Sequence, residues 1–388
     1  MARTAALDIE KAVKERYSQA LQSTEPALCC PVEYDRRYLE AIPKEILERD
    51  FGCGDPSRYV RAGDTVLDLG CGAGKICYIT AQIVGPKGKV IGVDFNSDML
   101  ALARKHRPAV AERLGYDNVV FHRAHIQDLA LPLDEVEAYL AARPVRSAVD
   151  LADFEAFAGR LRARAPLIPD ASVDVIVSNC VLNLVKDGDK QKLFTEIYRV
   201  LKRGGRVAIS DIVSDEDVPA ALKRDPKLWS GCLAGAWRED KFLEAFEQAG
   251  FYGIEIAKYD QKPWQTVRGI EFRSITVTAR KGKEGPCLER YQAVTYKGPW
   301  KEVHDDDGHV LRRGQRMAVC DKTYNILTQV PYGGEIISMP PRKTVPLGQA
   351  RGFRCNGASV RDPRETKGKR YRKTLAPSRS VCGPEGCC

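Results

Sequence analysis

The stretch from Thr65 to Gly74, Thr-Val-Leu-Asp-Leu-Gly-Cys-Gly-Ala-Gly, constrains this 388-residue chain more than any other. An apolar strand runs straight into glycines at 70, 72 and 74, and a helical pattern begins at Lys75. Glycines there let backbone approach a ligand closely, and the helix N-terminus points at it. A dinucleotide fingerprint would place its third glycine one position later, where Lys75 stands, so NAD is disfavoured. Asp68 in the strand end and Asp94 at the end of the next strand complete a different signature, because an acid at the second position accepts both hydroxyls of a ribose.

The pattern around the loop predicts α/β order and a parallel sheet. Strands are expected at 65–69, 89–94, 118–122, 173–178 and 205–212, with helices at 75–84, 97–114, 189–201 and 239–249 between and after them. Two closing strands near 254–258 and 272–279 complete a seven-stranded unit over residues 63–282. The segment from Leu131 to Pro169 is longer than a usual connection and reads as an inserted helix or two. Residues 1–62 supply an amphipathic helix, capped by Asp8, and cysteine-bearing loops; residues 283–341 read as a small β-rich appendage.

Hydrophobic residues at 44% and charged residues at 29% exclude a fibrous or wholly disordered protein. No apolar run reaches the length of a membrane span, and the start carries no signal-peptide core, so a cytoplasmic location is expected. The net charge of +9 does not point to nucleic acid. Twelve Lys/Arg against two acids lie between Arg342 and Arg379, which leaves the rest of the chain near neutral. The segment 342–388 therefore reads as a flexible basic tail, and no aromatic stacking pattern accompanies it. Thirteen cysteines are the anomaly, since in a reducing compartment they point to soft-metal ligands or reactive thiols rather than a disulfide framework.

The glycine loop with its two acids resembles the nucleotide-binding motif of class I S-adenosylmethionine-dependent methyltransferases, and so implies a Rossmann-like α/β fold of that class. The resemblance puts Asp68 near the amino-acid end of S-adenosylmethionine, has Gly70, Cys71, Gly72 and Gly74 line it, and gives the ribose to Asp94 with Phe95 beside it. Ile126 and Gln127 would flank the adenine, and Asn179 the methionine part. Four cysteines extend the likeness: Gly52-Cys-Gly54, Cys77 three residues past Gly74, Cys180 in Ser178-Asn-Cys-Val-Leu-Asn183, and Cys232 in Trp229-Ser-Gly-Cys-Leu-Ala-Gly-Ala236. Together they resemble the arsenite S-adenosylmethionine methyltransferases from about Ala27 to Arg280, with the arsenic-binding region around 213–240.

That resemblance implies arsenite and methylarsenite as substrates, with Cys77, Cys180 and Cys232 as ligands of As(III). Soft ions prefer thiolates, and three of them in a pyramid leave an arsenic lone pair free to attack a methyl group without a general base. None is evident, since the five histidines form no motif. The helix end is expected to lower the pKa of Cys77. Cys53, on a loop near Cys77, is the expected fourth thiol, forming the disulfide that returns pentavalent arsenic to the trivalent state and is reduced by glutathione or thioredoxin.

Cys71 reads as a small filler within the loop, and Cys287, Cys320 and Cys355 show no evident partner. Cys29, Cys30, Cys382, Cys387 and Cys388 are candidates for arsenic capture or exchange with reductant. Two rival readings remain open: a methyltransferase of a quinone- or sterol-like molecule, and a thiol protein that binds metal or metalloid without turnover. The first leaves the four cysteines unexplained, and the second lacks the close C-x-x-C pairs of structural zinc.

Overall fold

The computed structural model describes residues 8–21, 32–49, 51–355 and 359–373, so Cys29, Cys30, Cys382, Cys387 and Cys388 lie outside the described residues. The chain divides into two compact units, Met1–Gly282 and Lys283–Cys388.

Helices α1 (Ile9–Ala20), α2 (Arg36–Leu39) and α3 (Lys44–Leu47) precede the sheet unit. Asp8 caps α1 by accepting from the Lys11 amide, as its position predicts. Strands β1 (Thr65–Leu69), β2 (Lys89–Asp94) and β3 (Val119–Arg123) alternate with α4 (Lys75–Val84) and α5 (Ser97–Leu114). The expected insertion is two helices, α6 (Leu133–Ala142) and α7 (Ala148–Arg164), held together by Tyr139 stacking on Phe157 at 4.3 Å. Then come β4 (Val173–Asn179), α8 (Lys190–Val200), β5 (Leu201–Ser214), α9 (Ala220–Lys223), α10 (Pro226–Ser230), β6 (Trp237–Arg238) and α11 (Glu239–Gln248). Strands β7 (Tyr252–Tyr259), β8 (Gln265–Val267) and β9 (Ile270–Arg280) close the unit.

The strand order is β3-β2-β1-β4-β5-β9-β7; β1 to β5 run parallel, and β9 runs antiparallel to both β5 and β7. The expected seven strands are present, and β6 and β8 add short pairings that bring the sheet to nine. Strand β5 begins at Leu201, where a helix end was expected, and runs to Ser214.

Both faces of the sheet are buried, as a helix-covered parallel sheet requires. Val66, Val175 and Val177 join the core under α4 and α5 with Ile76, Tyr78 and Leu100, while Leu67, Leu69 and Ile176 join the opposite core with Leu193, Phe194 and Phe246. Side chains alternate between the faces of a strand, so Asp68 shares the α4 face with Val66. The order reverses between β1 and β4, and ligands bind beyond the strand ends at such a switch point.

The second unit is β-rich. It comprises β10 (Leu288–Glu289), β11 (Ala293–Tyr296), β12 (Glu302–His304), β13 (Val310–Arg312), β14 (Met317–Ala318), α12 (Asp321–Leu327), β15 (Ile336–Met339), β16 (Arg351–Gly352) and α13 (Pro363–Lys367). A three-stranded sheet β14-β11-β15 carries a small core with Val294, Met317 and Leu327. The expectation of a flexible tail from 342 onward is corrected over the described part of that segment. Strand β16 pairs with β10, and Arg361, buried, forms ion pairs with Glu289 and Glu365 at 2.8 and 2.9 Å. Some of the basic residues counted as tail therefore build this unit.

Candidate active site

The loop after β1 folds as the glycines require. Gly70, Gly72 and Gly74 all take positive φ, and a Cβ added at Gly72 would meet nothing within 4 Å. The Asp94 carboxylate, at the end of β2, accepts from the Gly72 amide at 2.9 Å and the Asn96 amide at 2.8 Å, tying the two strand ends together. Burial raises its pKa above the usual carboxylate value. Asp68 is also buried, and burial pushes its carboxyl up to about 7. Among the described residues neither acid forms an ion pair.

These residues line an open cleft at the carboxyl ends of the strands. Nine of the ten residues expected around a cofactor line it: Asp68, Gly70, Cys71, Gly72, Asp94, Phe95, Ile126, Gln127 and Asn179. Gly74 does not. It caps α4, and a Cβ there would press on Phe121 at 3.0 Å, so its role is the turn and the packing beneath it. Phe95 stacks on His125 with ring centres 5.7 Å apart, forming an aromatic wall.

Two thiols meet beside this cleft, and a third packs against them. The Sγ atoms of Cys180 and Cys232 and a carboxylate oxygen of Asp211 lie within 4.8 Å of one another. The Cys53 thiol lies beside that of Cys180, and all three cysteines are buried in one cluster. Only Cys180 of the three lines the cleft itself. The thiol pKa of Cys180 stands well above its ordinary value because Cys232 and then Cys53 crowd it, with burial adding to the effect. Burial raises that of Cys53.

Asn179 brings Cys53 to this place from 126 residues away. Its Oδ1 accepts from the amides of Cys53 at 2.9 Å and Gly54 at 3.1 Å, and its Nδ2 donates to the Gly54 carbonyl at 2.7 Å and the Tyr34 hydroxyl at 3.1 Å. From β9, Ser274 donates to the Cys53 carbonyl at 2.7 Å. The flanking glycines follow from this closeness: a Cβ on Gly52 would lie 2.2 Å from Asn179 Nδ2, and one on Gly54 would lie 2.4 Å from Ser210 Oγ.

Cys77 stands elsewhere, which corrects its expected place among the ligands of Cys180 and Cys232. It is the third residue of α4, on the sheet face it shares with Asp68, and its thiol donates to the Asp68 carboxylate at 3.1 Å. Cys71 is its other neighbour. The expected lowering of its pKa is also corrected. Burial, with Cys71 and Asp68 beside it, drives the value well above that of a free thiol, outweighing the helix end. Burial likewise pushes Cys71 up to about 11.

Three further residues belong to the site without having been singled out in the sequence. Asp211, in the apolar run of β5, accepts from the Leu182 amide and from Asn183 Nδ2, both at 2.8 Å, and burial raises its carboxyl to about 6. A carboxylate inside an apolar strand was the available signal. Asn183 also donates to the Cys232 carbonyl at 3.3 Å. Tyr17, counted only as an apolar position of α1, is half-buried beside Cys232, whose thiol donates to the Cys180 carbonyl at 3.2 Å, while Arg16 latches α1 to the Lys227 carbonyl at 2.7 Å and Ser230 Oγ at 3.0 Å.

Cys180 and Cys232 take left-handed backbone, at φ 64° and 62°. A side chain costs about 1–2 kcal/mol in that region and glycine nothing. Cys180→Gly is therefore expected to be more stable than Cys180→Ala by about 1 kcal/mol, the reverse of the order in ordinary backbone, as measured by denaturant unfolding.

The crevice at the switch point, the glycine loop and the two acids define a class I S-adenosylmethionine-dependent methyltransferase, and the family model described as a methyltransferase domain matches residues 61–250. The chain is 30% identical to an arsenite methyltransferase of Aquipseudomonas alcaligenes, covering 84% of this chain and 89% of that one, and 28% identical to an arsenite methyltransferase of Mus musculus over 92% and 87%. It belongs to the arsenite methyltransferase family.

The crystal structure of an arsenic (III) S-adenosylmethionine methyltransferase from Chlamydomonas reinhardtii superposes with a TM-score of 0.54 at 26% identity, covering 83% of this chain and 99% of that one. Residues 283–371 match a family model described as a domain of unknown function. Among the described residues no helix is long and apolar enough to cross a membrane.

Proposed function

We propose that this enzyme methylates trivalent arsenic, arsenite first and then methylarsenite, held by Cys180, Cys232 and Cys53. The observation that carries this reading is the packing of three buried thiols into one cluster, Cys180 and Cys232 in mutual reach and Cys180 at the wall of the cofactor cleft. A quinone or sterol acceptor has no use for them.

Asp68 and Asp94, two buried acids without a cation of their own among the described residues, suit a cationic amino acid and a ribose, and Gly72 leaves room for close approach. Bound there, S-adenosylmethionine supplies an electrophilic methyl group on sulfur. Arsenite loads as three As–O bonds give way to As–S bonds, and the thiol protons leave with the hydroxyls as water. Asp211, beside Cys180 and Cys232, is in reach to relay a thiol proton to the departing hydroxyl. The arsenic lone pair needs no base. Methylation leaves arsenic two electrons poorer, and a pair of these thiols returns it to the trivalent state by becoming a disulfide, which glutathione or thioredoxin then reduces. Arsenic detoxification or organoarsenical synthesis would be the cellular use.

The test is to incubate the purified protein with S-adenosylmethionine, glutathione and thioredoxin, with and without arsenite. Methylated arsenic should form in step with S-adenosylhomocysteine. Cofactor binding with no arsenite-dependent turnover would sink the assignment. Cofactor affinity should also depend on pH. Asp68 titrates near 7 in the free protein, and a cationic amino group favours its ionised form, so affinity should be full above pH 7 and fall as pH drops through that value. Calorimetric titration from pH 6 to 8.5 should show this slope, and Asp68→Asn should bind more weakly with the slope gone.

A further inference from the structure

The second unit holds a thiol cluster of its own. Cys287, Cys320 and Cys355, which looked unrelated in the sequence, have Sγ atoms within 4.8 Å of one another. The fold brings them together from three segments. Cys287 immediately precedes β10, and the Phe353 amide donates to its carbonyl at 2.8 Å, which sets Cys355 just past the paired strand β16. Cys320 precedes α12, is fully buried, and accepts from the Thr323 amide at 3.3 Å. Cys287 and Cys355 are partly exposed, so the cluster opens to solvent on their side.

We propose that Cys287, Cys320 and Cys355 form a second arsenic site, binding trivalent arsenic through three thiolates apart from the methyl-transfer site. Among the described residues no histidine or carboxylate completes a set of four with them. Three soft donors satisfy a trivalent ion that carries a lone pair, whereas zinc takes four ligands. The small core of this unit also gives an ion that joins three segments something to stabilise. Binding is balanced without redox change: three As–O bonds of arsenite break, three As–S bonds form, and each thiol proton leaves with a hydroxyl as water. The choice of ion rests on the arsenic reading of the chain; the convergence of the thiols does not.

The nearest competitor is zinc recruiting His309. That ring is fastened through Nδ1 to Asp305 at 2.8 Å, and its buried Nε2 has no partner in the structure.

Arsenic bound per full-length chain, counted by mass spectrometry after gel filtration under reducing conditions, tests the proposal. Cys287→Ser/Cys320→Ser/Cys355→Ser should bind one arsenic fewer than wild type. Cys180→Ser/Cys232→Ser should also bind one fewer, and X-ray absorption of the arsenic it retains should show three sulfur neighbours. Loss in the triple variant alone would uphold this site and overturn the thiol assignment of the methyl-transfer site. Equal arsenic in wild type and triple variant would overturn the second site. Against a folding artefact, the single variant Cys287→Ser should unfold at the wild-type temperature without arsenite, yet bind arsenic at this cluster roughly 10²–10⁴-fold more weakly, because one tethered ligand is gone. An unchanged affinity would also overturn the site. So would tightly held zinc at the cluster that His309→Ala releases.

Discussion

Cys180→Ser and Cys232→Ser should each lower arsenite methylation by about 10²–10⁴, while cofactor affinity stays within a factor of about two. The first magnitude is what a tethered ligand contributes when its partners already hold the ion. The second follows from geometry. Cys232 does not line the cleft, and Cys180 touches its wall beyond the glycine loop and the two acids. Serine keeps the volume and the hydrogen bonds of the thiol, so neither fold nor cleft should change. Single-turnover methyl transfer and calorimetric titration of S-adenosylhomocysteine separate the two effects. A variant that turned over arsenite at the wild-type rate would remove the thiols from the chemistry.

Asn179→Ala should lower arsenite turnover by about 10², with a smaller loss on methylarsenite. Asn179 makes four hydrogen bonds to the Cys53 loop and Tyr34; the alanine variant leaves the Cys53 and Gly54 amides without partners and the Gly54 carbonyl with the Tyr34 hydroxyl alone, so three bonds to the loop are lost. At about 1 kcal/mol for each bond, the loop loses some 3 kcal/mol of closure, close to a hundredfold in the closed population. Methylarsenite already carries one methyl group and needs one thiol fewer, so it should tolerate the departure of Cys53 better. Kinetics on both substrates checks this. Equal losses would mean that Asn179 acts through the cofactor cleft rather than through Cys53.

What was legible in the sequence was local. The glycine loop, Asp68, Asp94 and the α/β alternation lie within short spans whose residue types dictate strand, turn and helix, and the structure reproduces them with boundaries shifted by a few residues. What was not legible was set by pairing between distant segments. Cys53 reaches Cys180 because Asn179 at the end of β4 holds its loop, and no spacing announces a bond across 126 residues. The resemblance gives Cys77 to the arsenic ligands, but the alternation of β1 places Asp68 on the α4 face, and the thiol turns to it. Arg361 was counted as tail charge, yet its ion pairs with Glu289 and Glu365 hold it in the second unit. Cys320 and Cys355 were likewise joined only by folding.

The left-handed backbone at Cys180 and Cys232 carries a consequence for how this protein drifts under mutation. At both positions the main chain by itself would settle on glycine, so every neutral path that ignores chemistry leads away from sulfur. A lineage that ceased to use these thiols would gain stability by discarding them. On the proposed reading, the chemistry of arsenic holds cysteine there against the preference of the backbone, and glycine at either position in a related chain would mark a protein that has changed its trade.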